Sequence, residues 1–366
     1  MDRSVRYFLT RDDFQGLINE LWHRGFTVLG PQVDQEAIVY GELRNSEQLP
    51  YGWAEEQEPG KYRLVPGDPE LAFQYAVGPH SWKRYLFPPL TTLLRIRPQE
   101  GGWSFENVNE EAPRYAMIGV RACELAAIRV QDRVFAGGEY KDPVYQNRRE
   151  RACVIAVNCT HPASTCFCTS MKTGPRCSSG FDLSLTELGD GYVCEIGSDL
   201  GEDLLRGLEP QPVTNEQVQD TEQRLGDAER KITRQMNTDG LHDLLQSNPE
   251  DRVWDDVAAR CLSCTNCTMV CPTCFCSSVT EVSDLLTGEF ERRREWDSCF
   301  NPEFSYMNGC VIRNDIRSRY RQWLTHKLGS WHDQFGMCGC VGCGRCISWC
   351  PVGIVLTAEV AILQKD

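Results

Sequence analysis

Apolar residues at Phe14, Leu17, Ile18, Leu21 and Trp22 recur at the spacing of one helix face, and the pattern stops at Gly25. Thr10-Arg-Asp-Asp13, just before them, offers a capping hydroxyl with an acid three positions on, so a helix is predicted to start there. Phe26 to Leu29 and Ala37 to Leu43 are short apolar runs that read as strands, with Gly30-Pro31 as a break. Residues 48–89 are rich in Gly, Pro and aromatics without a clean period. Trp53, Tyr62, Trp82, Tyr85 and Phe87 in that segment read as irregular core, with a partner-binding surface as the alternative.

From Arg114 the pattern becomes strand, helix, strand: 115–120 is apolar, 123–130 is helical in composition, and 152–157 is apolar again. The expected product is a parallel βαβ unit. Residues 182–188 and 192–196, joined across Asp190-Gly191, read as a hairpin. Residues 201–250 are polar and helix-forming, as a linker arm or a solvated helix face would be. A short amphipathic helix at 251–259 leads into Cys261, and a helical stretch is expected after Cys276. Residues 311–328 put Ile312, Ile316, Tyr320 and Leu324 at helical spacing among Arg313, Arg317, Arg319, Arg321 and Lys327. That basic face is either solvated, or it shields anionic groups or docks an acidic partner.

The fold class expected is α+β, with an N-terminal domain containing α/β structure (1–200), a polar helical linker (201–250) and a C-terminal helical domain (251–366). A chain of 366 residues, 41% of them apolar, is long enough for cores of that kind. No apolar run approaches the ~20 residues that span a bilayer, and the first residues lack an apolar export segment, so the expected location is cytoplasmic with no membrane span. A formal charge of −14 argues against nucleic acid as a partner and biases any redox centre toward low potential.

Twenty cysteines change the picture. They bunch at gaps of two and three residues with no export signal, which points to ligation rather than disulfides. Cys261, Cys264, Cys267 and Cys271-Pro272 form one CxxCxxCxxxCP run; Cys340, Cys343, Cys346 and Cys350-Pro351 form a second. Each two-residue gap lets the chain step around an iron–sulfur cube, while the fourth cysteine is carried away and serves the neighbouring cluster. The expected [4Fe–4S] ligand sets are therefore Cys261, Cys264, Cys267 and Cys350, and Cys340, Cys343, Cys346 and Cys271. Gly342 and Gly344 offer peptide N–H groups to such sulfurs. A four-cysteine zinc scaffold is the structural alternative, but it has no use for a third cysteine in each run or for reciprocal CP ends.

Cys123 follows the first strand of the βαβ unit and Cys159 the second, at the edge where open α/β sheets hold ligands. With Cys166-Phe-Cys168 close behind, Cys123, Cys159, Cys166 and Cys168 form a candidate third cluster site, Cys177 being the spare. Cys153 and Cys194 read as strand core. Cys274, Cys276, Cys299 and Cys310 form a further candidate, as a redox-active thiol set or an unusual fourth cluster. The sequence has no phosphate loop GxxxxGK[ST], no HExxH, no GxGxxG after a strand and no CxxCH. Its expected role is metal-binding electron transport without a catalytic site of its own.

Several elements resemble one family of iron–sulfur electron-transfer subunits, shared by cytoplasmic sulfhydrogenase-type nickel–iron hydrogenases, as their beta subunit, and by anaerobic sulfite reductase, as its iron–sulfur electron-transfer chain. They are Gly52-Trp53 to Pro59-Gly60, Val77-Gly78-Pro79, Gly119-Val-Arg-Ala-Cys123, Asn158-Cys159-Thr160 with Cys166-Phe-Cys168, Cys271-Pro-Thr-Cys274-Phe-Cys276, Asp297-Ser-Cys299 and the Cys340 run. The family commonly has Asp after the cysteine of the GVRxC element, where Glu124 stands here. The resemblance implies a ferredoxin-like, non-catalytic subunit of an oxidoreductase complex. It would relay electrons between a flavin subunit using NAD(P)H and a catalytic subunit, either a nickel–iron hydrogenase module or a siroheme sulfite reductase.

Overall fold

The computed structural model describes residues 6–107 and 112–365. Its main sheet has eight strands in the spatial order Gln211–Pro212, Tyr7–Thr10, Gly191–Ile196, Leu183–Glu187, Cys153–Val157, Tyr115–Val120, Thr27–Asp34, Ala37–Glu42. The four strands from Leu183–Glu187 to Thr27–Asp34 run parallel and the flanking pairs are antiparallel. The α+β reading holds. Cys153–Val157 is buried along its whole length, as a parallel strand covered on both faces must be. Alternate residues serve two cores: Ile118, Cys153 and Ile155 meet Leu17, Ile18 and Leu21 of helix Arg11–His23, while Met117, Val154 and Ala156 meet Leu125 and Ile128 of helix Ala122–Phe135.

Helix Arg11–His23 begins at the expected capping box, Thr10 and Asp13 bonding each other's backbone N–H. The break expected at Gly30-Pro31 is absent: strand Thr27–Asp34 runs through both, and the turn comes at Gln35 and Glu36. Only Thr27 to Leu29 pair with the neighbouring parallel strand. From Gly30 onward that side is an edge, where a residue without an N–H costs no ladder bond.

Residues 48–89 are more ordered than their composition suggested. Trp53–Glu58 and Lys61–Pro66 form an antiparallel hairpin, while Trp82 and Phe87 are buried in the core and Trp53 is 40% exposed. The hairpin leans on the C-terminal cysteine run: Tyr62 stacks on Trp349 at 5.0 Å and Gly60 N donates to Ile347 O at 3.0 Å.

The helix expected after Cys276 is a hairpin instead. Ser277–Ser283 and Phe290–Trp296 join Leu90–Gln99 and Gly102–Asn107 in a four-stranded antiparallel sheet, so chain segments nearly 200 residues apart share one ladder. Its strands are charged and half-exposed, with cross-strand pairs such as Arg95–Glu291 at 3.0 Å, a pattern without apolar periodicity. The polar stretch beyond residue 200 is packed cover rather than free arm: Leu204 and Leu205 enter the first core, and Leu241 and Leu245 enter the C-terminal one.

The basic helix starts only at Ile316, capped by Asp315, and ends in a five-residue π turn at His326–Ser330. Its charges are answered within the chain. Arg317 pairs with Glu250 and Asp255 at 2.9 Å, Arg321 with Glu250 at 3.3 Å, and Arg319 donates to Arg313 O.

One buried ion pair fastens the C-terminal cysteine run to the sheet. Arg345 Nη2 lies 2.6 Å from Glu124 Oε1 and 2.9 Å from His80 O, its Nε donates to Gly78 O, and Tyr40 O–H donates to Glu124 Oε2. Neither charged side chain is more than 1% exposed. Arg345→Met leaves the Glu124 carboxylate buried without its partner and is expected to cost about 3–5 kcal/mol. Arg345→Met with Glu124→Leu should recover most of that. Anaerobic urea unfolding followed by tryptophan fluorescence reads both, and a loss below about 1 kcal/mol for the single variant contradicts the assignment.

Candidate iron–sulfur centres

The loop at Cys261 turns through Ser263 and Thr265, both at positive φ, before the short helix Asn266–Met269. This brings Cys261, Cys264 and Cys267 round one cavity, and Cys350 of the other run lines the same cavity. The walls are otherwise apolar, including Phe300, Tyr320, Trp323 and Leu356. Ser263 N donates to Cys261 Sγ at 3.4 Å and Ile354 N to Cys350 Sγ at 3.3 Å. Burial, then the neighbouring thiols, pushes the Cys267 thiol well above its usual range. Cys264 is exposed, so this cavity reaches the surface.

Cys343 and Cys346 lie within electrostatic reach of Cys271, and Lys327 lies within reach of both Cys271 and Cys340. Burial raises Cys343 and Cys346, and Cys271 adds to both shifts. Cys271 is itself held well below the usual thiol range by a hydrogen bond with Cys274, despite its burial, and by the Lys327 ammonium. Lys327 Nζ lies 3.4 Å from Cys271 Sγ, 3.1 Å from Thr273 Oγ1 and 3.3 Å from Gly339 O. Gly342 N donates to Cys340 Sγ at 3.5 Å, one of the two peptide donors expected.

Cys123 opens helix Ala122–Phe135 after its strand, and Cys159 stands two residues past the end of the adjacent parallel strand. The following loop folds back as its spacing suggested. Cys123, Cys159, Cys166 and Cys168 line one cavity, closed by Ala76, Val77, Gly174 and Pro175 and bordered by Cys343. Burial, then neighbouring thiols, pushes Cys168 up to about 12 and holds Cys166 and Cys123 well above the usual thiol range. Ligation at this site must therefore release protons. Arg121, 1% exposed, lines the cavity with its guanidinium bonded to the carbonyls of Phe73, Tyr75, Val157 and Asn158. The carbonyls satisfy its two Nη groups, while its Nε is buried without a partner and its charge is unanswered; an anionic cluster in the cavity would answer the charge.

The second and third sets touch. Phe167 N donates to Gly342 O at 2.9 Å and Thr173 O–H to Val341 O at 2.6 Å. At Gly342, with φ +66°, a Cβ would come within 2.6 Å of Phe167 O; at Gly344, φ +77°, within 2.6 Å of Thr165 O. Glycine is the residue that permits this approach.

The remaining cysteines divide. Cys153 and Cys194 are core of the sheet, and Cys177 is core with its N–H on Asn158 Oδ1 at 2.7 Å. Cys310 lies exposed on the ribbon Tyr306–Met307/Cys310–Val311, bonded to Met307 O, and does not join Cys274, Cys276 and Cys299 as the sequence suggested. Lys83 and Arg121 were not singled out from sequence as groups near the sulfurs, whereas Lys327 belonged to the basic set for which shielding of anionic groups was one of the readings. Lys327 had a signal: it follows Tyr320 and Leu324 along the apolar stripe of its helix, where a lysine must be answered by something buried. Among the described residues no three or more His, Cys, Asp or Glu converge as ligands of a single ion would. The four thiols of a cube each bind a different iron and need not converge so tightly.

Four-thiol cavities with apolar walls and buried cations fit [4Fe–4S] centres, and residues 260–354 match the family model of a 4Fe-4S dicluster domain. The molecule is thus an iron–sulfur protein of the electron-transfer class. Over 311 residues it is 30% identical to sulfhydrogenase 2 subunit beta of Pyrococcus furiosus, covering 83% of this chain and 89% of that relative. The chain belongs to the sulfhydrogenase beta-subunit family. No solved structure gives a significant match. Among the described residues no helix is long and apolar enough to cross a membrane.

Gly342→Ala forces the Cys340 loop and the Cys166 loop apart. Iron and acid-labile sulfide in the purified chain are expected to fall by about four atoms each; unchanged content contradicts the packing described.

Proposed function

We propose that the chain is the electron-transfer subunit of a multi-subunit hydrogenase, holding three [4Fe–4S] centres in file. The ligand sets are Cys123, Cys159, Cys166 and Cys168; then Cys271, Cys340, Cys343 and Cys346; then Cys261, Cys264, Cys267 and Cys350. One observation carries the reading. Cys343 borders the N-terminal cavity while Cys346 borders the cavity of the Cys261 run, so a single CxxCxxC loop lies against both neighbouring sites. Each centre supplies one-electron transfer at a potential set by hydrogen bonds to sulfur, burial and local charge.

The protein's part is to hold the thiols, exclude water and set that local charge. Lys327 beside Cys271 and Arg121 beside Cys159 favour the more negative, reduced state of a neighbouring centre. The surface around Cys264, Leu262 and Val352 is the natural exit for electrons, because there a thiol is exposed and apolar side chains stand beside it at 62% and 40% exposure. The partners in this reading are a flavin subunit exchanging electrons with NAD(P)H and a nickel–iron catalytic subunit, in the cytoplasm. The relative from P. furiosus, by name a sulfhydrogenase subunit, supports the hydrogenase assignment over sulfite reductase.

Purification of the native complex tests the partners: a nickel–iron large subunit is expected, and a siroheme chain overturns the assignment. Cys350→Ser tests the ligand exchange by EPR of the dithionite-reduced chain. The signal that changes should be the one also altered by Cys261→Ser; a change shared instead with Cys340→Ser contradicts the exchange.

A further inference from the structure

The loop Cys271-Pro-Thr-Cys274-Phe-Cys276 holds two thiols that the three sites above do not use. The Cys274 thiol lies within electrostatic reach of Cys271, and that of Cys276 within reach of Cys299. The loop is fixed from several directions. Gln131 Nε2 donates to Pro272 O at 2.8 Å, Thr273 O–H to Gly339 O at 2.6 Å, and Asp297 N to Cys276 O at 2.8 Å. Phe275 is seated edge-on against Phe135, Trp331 and Phe335 at 5.3–6.0 Å. The two cysteines flank a packed phenylalanine, as Cys166 and Cys168 flank the fully buried Phe167.

Two buried lysines face this corner. Lys83 is 4% exposed, with Nζ 3.0 Å from Cys274 O and 3.9 Å from the centre of the Trp296 ring. Lys327 is 3% exposed, with Nζ on Cys271 Sγ. Among the described residues neither ammonium pairs with a carboxylate; the acidic groups that act on Lys83 are the thiols of Cys274, Cys271 and Cys276. A buried cation without a counter-charge costs several kcal/mol, and neutral thiols do not answer it. A centre on Cys271 accounts for Lys327 and leaves Lys83 to be answered.

We propose that Cys274, Cys276 and Cys299 hold a fourth iron–sulfur cube on three thiolates, with Lys83 as its buried counter-cation. Its fourth iron takes a small ligand from solvent, water or an anion, because Cys271 is committed to the neighbouring centre; Cys276 and Cys299 are part-exposed, which leaves that access open. The proposal rests on the three-centre reading for the use of Cys271. No electron or atom transfer beyond reversible one-electron reduction is asked of it.

Metal and sulfide analysis of the anaerobically reconstituted full chain, with EPR at graded potentials, tests this. The wild type is expected to hold about sixteen irons per chain and Cys274→Ser/Cys276→Ser/Cys299→Ser about twelve, with the other signals kept. Lys83→Met, which spares every cysteine, should lower the potential of one signal, the one missing from the triple variant. Cyanide added to the reduced wild type should shift that same signal. About twelve irons in the wild type, one zinc in place of four irons, or a Cys276–Cys299 disulfide in the holo chain by mass spectrometry overturns the proposal. So does a Lys83→Met chain with all potentials unmoved. Failure of the three-centre reading is distinguishable: Cys123→Ser/Cys159→Ser would then keep all its iron while the Cys274/Cys276/Cys299 variant still lost about four atoms.

Discussion

A guanidinium and a carboxylate, both shut away from water, hold the cysteine-bearing parts of this molecule in register. Arg345 precedes Cys346, and Glu124 follows Cys123. Their 2.6 Å contact therefore joins the residue beside one candidate ligand set to the residue beside another. Such a pair adds little net stability over apolar residues of the same shape, but breaking one side of it is costly, so it specifies one arrangement. The backbone carbonyls of Gly78 and His80 and the hydroxyl of Tyr40 complete the fit, which ties in the Val77-Gly78-Pro79 element as well. Gly342 and Gly344 let the two cysteine loops meet backbone to backbone once that register is set.

What the sequence made legible was local. Helix Arg11–His23 buries one face, so its period of 3.6 survives in the sequence, while the strands at 115–120 and 153–157 are covered on both faces and read as continuous apolar runs. The cysteine runs were legible because cube geometry is written in two-residue gaps. The loop carrying Cys159, Cys166 and Cys168 was legible from the edge of the sheet. What was hidden is pairing at long range between polar strands. Arg292 to Glu295 lie beside residues 90–94, and no local pattern announces a partner so distant. Pro31 misled for the opposite reason, since a proline signals a break only where both sides of its strand are paired. Cys310 was grouped by proximity in sequence with Cys299 but lies on a separate exposed ribbon.

Electrostatics near the sulfurs differ from those of the whole chain. The formal charge is −14, yet the charged groups buried against the thiol-lined cavities include Arg121, Arg345, Lys83 and Lys327. Surface carboxylates act through water and salt, whereas a desolvated cation in contact with a ligand sulfur acts at nearly full strength. Long-range charge therefore favours association with basic partners, and the buried cations set the local balance that a negative cluster needs. The basic stretch illustrates the division: the half-buried Arg317 and Arg321 are matched by Glu250 and Asp255, and the buried Lys327 is turned to Cys271.

In the proposed file the N-terminal and C-terminal thiol sites are neighbours. Unpaired spins on adjacent reduced clusters interact magnetically, so the EPR spectrum of the fully reduced holo chain tests adjacency directly. A broadened, split spectrum is expected, simplifying when Cys123 and Cys159 are both replaced by serine. A spectrum of the intact chain that is the plain sum of independent signals, unchanged in line shape when the N-terminal site is removed, would contradict it.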